Sequence, residues 1–151
     1  IARGQGTFSC SNVRLHQALI TDCAGAPVGG TNYLLELRVN NPQTQKFDRG
    51  VFQVTATTNK PVGLIRVLEG RNAGRFFVGT VMVPFVEPGG EATVELRAWD
   101  ASTGGTYDAA TVRGASVIKV QLGGVGQPPT MPGTMTRFTG IKLCPAGPAK
   151  K

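Results

Sequence analysis

The sequence predicts an all-β fold, a two-sheet antiparallel sandwich of about eight short strands. Apolar and polar residues alternate in segment after segment, and this period of two is typical of half-buried strands. The 151 residues include 21 glycines and 10 prolines, which mark frequent turns. Helical periodicity is almost absent, so an immunoglobulin-like sandwich or a jelly roll fits better than an α/β fold.

Strand patterns in the N-terminal half combine alternation or β-branched residues with turn residues at their ends. The first strand places Phe8 and Cys10 on one face. The strand that contains Leu35 and Leu37 ends at the turn sequence Asn40-Asn41-Pro42. The predicted strands of this half are residues 5–13, 33–39, 51–57 and 62–68, with a further short apolar element at 15–20.

The C-terminal half continues in the same way, and its clearest strand has Ala92, Val94, Leu96 and Ala98 on one side. Residues 123–133 contain three prolines and predict a surface connection that crosses between the sheets. The predicted strands of this half are residues 76–83, 91–100, 115–122 and 135–143.

One short helix is predicted near residues 106–112. Thr106 follows the Gly104-Gly105 turn and can cap a helix start, and Asp108 would lie in the first turn, near the positive end of the helix dipole. We therefore expect one or two helical turns between two strands.

We expect a single sandwich domain over residues 1–144 and a tail over 145–151 that is rich in proline, glycine and lysine. A chain of this length can bury a sizeable core without a metal or a dense disulfide framework. The chain begins with Ile1 rather than Met and shows no basic segment followed by an apolar one. The sequence thus favours an exported protein whose signal peptide has been removed.

The formal net charge is +7 and the isoelectric point is near 9.8. The basic residues are scattered and lack the interleaved aromatic residues of RNA-binding sheets, so we expect no specific nucleic-acid binding. General attraction to anionic polysaccharide or to a cell surface is a better interpretation. No apolar run reaches the roughly 18 residues that a membrane helix needs, and we expect no membrane span.

No catalytic, cofactor or metal site is predicted. The cysteines lack CxxC spacing and His16 is the only histidine, which argues against a zinc site and against a catalytic base in a known arrangement. Asp100, Asp108, Glu87 and Glu91 match no calcium-binding spacing, so we interpret them as turn-stabilising or solvated carboxylates.

Three cysteines predict one intramolecular disulfide and one remaining thiol. We expect Cys10 to pair with Cys144, because the first and last strands often lie side by side in sandwiches. Cys23 would then be free or bonded to a neighbouring molecule.

The only tryptophan, Trp99, ends the clearest strand, and Tyr107 follows eight residues later. Trp99 would stack on a sugar ring if it were exposed, as aromatic residues do in carbohydrate-binding modules. Packing of Trp99 against Tyr107 is the favoured interpretation.

Five segments in this order resemble a group of uncharacterised exported β-rich domains from verrucomicrobial and planctomycete-type bacteria. The segments are residues 26–37, 94–100 with its Arg-Ala-Trp-Asp, 104–110 with Gly-Thr-Tyr-Asp-Ala-Ala, 123–129 with Gly-Gln-Pro-Pro, and 138–141. The resemblance covers most of the chain and implies export and a surface or extracellular role without an assigned enzymatic activity. The chain departs from the group in lacking an apolar sorting tail and in its three cysteines.

We therefore expect a non-enzymatic extracellular structural protein whose subunits associate with one another in a filament or surface layer. The odd cysteine permits a bond between subunits, and strand-like or proline-rich termini can pair with the sheet edge of a neighbour. The alternative is a carbohydrate-binding or adhesive module, which needs an exposed aromatic platform or a calcium site. A hydrolase is least favoured, because the sequence singles out no pair of carboxylates.

Overall fold

A computed structural model describes residues 6–13, 18–54, 59–124, 133–135 and 137–145. Almost all regular structure in these ranges is strand, which confirms the predicted β-sandwich. The strands are β1 (Gly6–Ser11), β2 (Ile20–Asp22), β3 (Gly30–Asn41), β4 (Lys46–Asp48), β5 (Phe52–Val54), β6 (Asn59–Pro61), β7 (Ile65–Val67), β8 (Phe77–Val83), β9 (Glu91–Asp100), β10 (Val112–Gln121), β11 (Gly123–Gly124), β12 (Gly133–Thr134) and β13 (Ile141–Pro145).

The strands form two sheets that pack against each other. The first sheet has the order β11-β1-β8-β5-β6, with β12 also paired to β1. The second has the order β2-β13-β10-β9-β3-β4, with β7 also paired to β3. Most neighbours are antiparallel, but β12 runs parallel to β1 and β2 runs parallel to β13. Both sheets are therefore mixed, whereas the sequence predicted purely antiparallel ones.

Side chains from the two inner faces fill one core. Val94 of β9 is fully buried, as its alternation predicts, and Phe8 of β1 and Val81 of β8 belong to the same buried core from the first sheet. Phe76 and Phe138 pack edge to face with their ring centres 5.9 Å apart. The core therefore lies where the alternating pattern places the apolar residues.

One buried polar residue joins three segments at the end of β1. Asn12 is fully buried, and its Nδ2 donates hydrogen bonds to the carbonyl oxygens of Ala18 at 2.6 Å and Gly74 at 3.0 Å. Its Oδ1 accepts a hydrogen bond from the Phe76 N–H at 2.7 Å. These bonds fix the start of β2 and the turn before β8 against β1.

Several short strands lie where the sequence predicts turns or a connection. β4 pairs with the end of β3, and β6 pairs with β5 at an edge of the first sheet. β11 and β12 both pair with β1, at the two ends of the proline-rich connection. Short polar strands at a sheet edge bury little of either face, so they carry no alternating pattern that would reveal them.

The helix predicted near residues 106–112 is wrong, because the segment makes a single turn. The Thr106 carbonyl accepts a hydrogen bond from the Ala110 N–H at 2.9 Å, and its Oγ1 accepts one from the Ala109 N–H at 3.2 Å. Val112 already pairs in β10. Too few residues remain before the strand to offset the cost of helix nucleation.

Parts of several predictions lie outside the described residues. Among the predicted strands and the short apolar element these are residues 5, 15–17, 55–57 and 136. The same holds for His16, for the proline-rich residues 125–132, and for residues 146–151 of the predicted tail. The first tail residue, Pro145, belongs to β13.

Candidate functional site

The predicted aromatic pair lies on the outer face of the second sheet. Alternation along β9 places Trp99 on the face opposite to Ala98, and the loop between β9 and β10 covers it, so that Trp99 is only 2% exposed. The rings of Trp99 and Tyr107 meet edge to face, with centres 6.4 Å apart and planes at 82°. Trp99 is therefore a packing residue and offers no surface on which a sugar ring can stack.

Two arginines hold Tyr107 in place. The guanidinium carbon of Arg97 lies 4.3 Å from the centre of the Tyr107 ring, and that of Arg113 lies 4.9 Å from it. Arg97 also forms an ion pair of 2.7 Å with Glu36 on β3. The charges of this cluster are therefore engaged within the chain, where they fix the loop to the sheet.

The structure pairs Cys23 with Cys144, so the predicted Cys10–Cys144 disulfide is wrong. β1 and β13 lie in different sheets, which separates Cys10 from Cys144. In the parallel pair of β2 and β13, Asp22 is opposite Leu143. The next residues along both strands are Cys23 and Cys144, and their Cα atoms are 4.6 Å apart.

Cys10 is free and fully buried in the core. Burial raises the pKa of its thiol from 9.0 to about 12, because the apolar surroundings disfavour the thiolate. The thiol is therefore neutral and shielded, and it does not link subunits in the folded protein.

A groove opens between β7 and β8, at one edge of the sandwich. It has a volume of about 290 Å³. We call it the β7–β8 groove, and it is defined by Gln53, Leu64, Ile65, Arg66, Phe77 and Val78. Two apolar side chains at this groove face solvent, since Phe77 is 63% exposed and Leu64 is 50% exposed.

One wall of the groove is the first part of β8, which begins at Phe77. Among the described residues, β5 pairs with β8 only through Phe52 and Gln53, opposite Met82 and Val81. Nearer the start of β8, Gln53 Nε2 donates a hydrogen bond to the Val78 carbonyl at 2.6 Å. A side chain thus satisfies a backbone acceptor that a neighbouring strand would otherwise use.

The charge of the side chains that line the groove is positive. Arg66 lines it, and none of the described lining residues is acidic. Lys60 is opposite Gln53 in the pair of β5 and β6, so its side chain lies on the same face of the sheet as that of Gln53. Lys60 is exposed. The β7–β8 groove is therefore apolar and basic.

Sequence reasoning did not identify this groove, although one pattern pointed to part of it. Phe76 and Phe77 are adjacent in the predicted strand 76–83, and neighbouring residues of a strand point to opposite faces. Phe76 is fully buried, and Phe77 is exposed as a consequence. The other contributors come from separate segments that only the folded chain brings together.

No helix within the described residues is long and apolar enough to cross a membrane. No family model matches the chain, and no curated protein or solved structure matches it. The resemblance to exported bacterial domains therefore stays a prediction.

Proposed function

We propose that the chain is a non-enzymatic extracellular structural protein whose folded copies associate through the β7–β8 groove. The observation that carries this proposal is the exposure of Phe77 and Leu64 beside an open groove, at 63% and 50%. Large apolar side chains clustered on a surface are typical of protein–protein contact sites.

Burial of an aromatic side chain supplies much of the free energy of many interfaces. Phe77 would lose its exposed surface on contact with another copy, and Leu64 would lose its own. The groove leaves room for an apolar side chain between them, which is what a packed interface core requires.

An extracellular location is supported by the Cys23–Cys144 disulfide, since structural disulfides persist in oxidising compartments. All three cysteines are accounted for within one chain, two in this bond and Cys10 in the core. Association is therefore noncovalent, in contrast to the predicted bond between subunits through Cys23.

The test measures the molar mass of the purified protein by light scattering over a wide range of concentration, with and without reductant. We expect the wild-type mass to rise with concentration and Phe77→Ser to remain a monomer, because the substitution removes the apolar contact. The matched control is Val117→Ser, which alters a valine that is 55% exposed on β10.

We expect Val117→Ser to associate like the wild type. A wild-type protein that stays a monodisperse monomer at every concentration would overturn the proposed function. Equal association of Phe77→Ser and wild type would show that the groove is not the contact.

A further inference from the structure

Building on the proposed function, we infer that the association is head to tail: the β7–β8 groove of one copy receives the β8–β9 turn of the next copy. This turn comprises residues 84–90 and carries Glu87, and Glu91 follows it at the start of β9. Such a contact has two different surfaces, and they set the direction in which copies add.

The groove supplies an apolar and basic surface. Phe77 and Leu64 are its exposed apolar side chains, and Arg66 is the basic residue that lines it. Lys60 is exposed beside the groove, opposite Gln53 in the pair of β5 and β6. A partner that fits must bring apolar and acidic groups together. Two grooves placed face to face would bring like charges together, which disfavours a symmetric contact of groove with groove.

The β8–β9 turn has the complementary character. Glu87 and Glu91 are exposed carboxylates, and Phe85 is a partly buried aromatic residue between them and β8. Arg137 lies 3.5 Å from Glu91 and offsets part of the charge at this position. The turn therefore offers two carboxylates beside the exposed part of a ring that otherwise packs against the core.

The backbone of this turn is fixed in place, so little order has to be gained on contact. The Gly90 N–H donates a hydrogen bond to the Glu87 carbonyl at 2.9 Å. Gly89 and Gly90 also exchange hydrogen bonds with Leu122, each of 2.8 Å. The carboxylates are therefore carried by a segment that the second sheet anchors.

The two surfaces lie at opposite ends of β8. Phe77 begins the strand at the groove, and Val83 ends it just before the turn, six residues on. At the rise of a strand this separates the surfaces by about 20 Å. One copy can therefore bind a partner at each end, and repetition of the contact builds an open chain or a ring rather than a closed pair.

The test is a charge exchange between the two surfaces. One variant carries Lys60→Glu and Arg66→Glu in the groove, and the other carries Glu87→Lys and Glu91→Lys at the turn. Each variant alone brings like charges together at every contact, so we expect each to remain monomeric where the wild type associates.

In an equimolar mixture, each turn meets a groove of opposite charge, so we expect the mixture to recover the association of the wild type. The matched control for the groove variant is Lys119→Glu with Lys142→Glu. These residues are exposed on the second sheet, and their reversal changes the net charge by the same amount. We expect this control to associate, and circular dichroism would verify that every variant is folded.

The outcomes separate this inference from the function on which it rests. If the wild type associates but the mixture stays monomeric, or if either charge variant associates alone as the wild type does, the head-to-tail contact is overturned and association as such stands. A wild type that never associates overturns both. Only the head-to-tail contact predicts that the two variants associate when mixed while each stays monomeric by itself.

Discussion

Asn12 shows how one polar side chain can hold several elements of this fold together. It donates to the carbonyls of Ala18 and Gly74 and accepts from the Phe76 N–H, and it is fully buried. Removing the amide would take this partner from the Ala18 carbonyl and the Phe76 N–H in the interior, whereas the Gly74 carbonyl would still accept a hydrogen bond from the Ile20 N–H. Buried polar groups without partners are costly.

We predict that Asn12→Ala lowers the free energy of unfolding by about 3 kcal/mol. Urea denaturation followed by fluorescence would measure the loss. The control is Asn72→Ala, at an exposed position in the turn between β7 and β8, where a change within about 0.5 kcal/mol is expected. Equal losses at the two positions would show that the buried bonds contribute little.

The buried thiol of Cys10 makes the stability of the fold depend on pH. Burial raises the pKa of its thiol to about 12 in the fold, whereas the exposed thiol of the unfolded chain ionises from its ordinary value of 9.0. The fold therefore loses stability as pH rises from about 9 towards 12, at up to about 1.4 kcal/mol per pH unit for this group. The pKa of Tyr33 is raised as well, by burial first and then by Asp100 and Asp22, and it acts in the same direction.

We expect Cys10→Ala to show a smaller loss of stability between about pH 9 and pH 10 than the wild type, because it has no thiol to ionise. Denaturation curves across this range would measure both slopes. Tyr33→Phe separates the contribution of the tyrosine. An unchanged slope in Cys10→Ala would contradict the raised thiol pKa.

At the level of elements, the disulfide joins the parallel pair of β2 and β13 at the edge of the second sheet. The two cysteines are 121 residues apart in sequence. A bond that closes so long a loop removes much conformational freedom from the unfolded chain, worth about 4 to 5 kcal/mol in the chain-entropy model.

We predict that Cys23→Ser with Cys144→Ser lowers the free energy of unfolding by about 4 kcal/mol. Denaturation of the wild type and the variant, each with and without reductant, would measure this. Reductant should destabilise the wild type and leave the double variant unchanged. The stabilising role would be refuted if reductant broke the Cys23–Cys144 bond in the wild type without lowering its free energy of unfolding.

The elements also show which kinds of strand a sequence reveals. β9 and β3 bury consecutive apolar residues of one face, and their alternation placed Val94 and Leu35 in the core correctly. β4 and β6 are short edge strands in which no residue is buried, so their residues look like turns. At Thr106 the error was the opposite one, since a turn was predicted to be a helix. A good helix start does not ensure that enough residues follow to form a helix.

Across the whole molecule, the net charge of +7 opposes random association of copies. The proposed contact, which joins Glu87 and Glu91 of one copy to Arg66 and Lys60 of another, would offset this repulsion locally. The general attraction to anionic polysaccharide or cell surfaces that the charge predicts is compatible with such assemblies, because the scattered basic residues elsewhere stay available.

The sequence by itself determined the all-β class and the core face of the clearly alternating strands β3 and β9, because the backbone alone sets the two-residue period. Only the tertiary structure decided that Cys23 pairs with Cys144, that the β9–β10 loop covers Trp99, and that Leu64, Arg66 and Phe77 share a groove. The reason is that these arrangements depend on strand order in the two sheets, which joins residues far apart in the chain and leaves no local pattern.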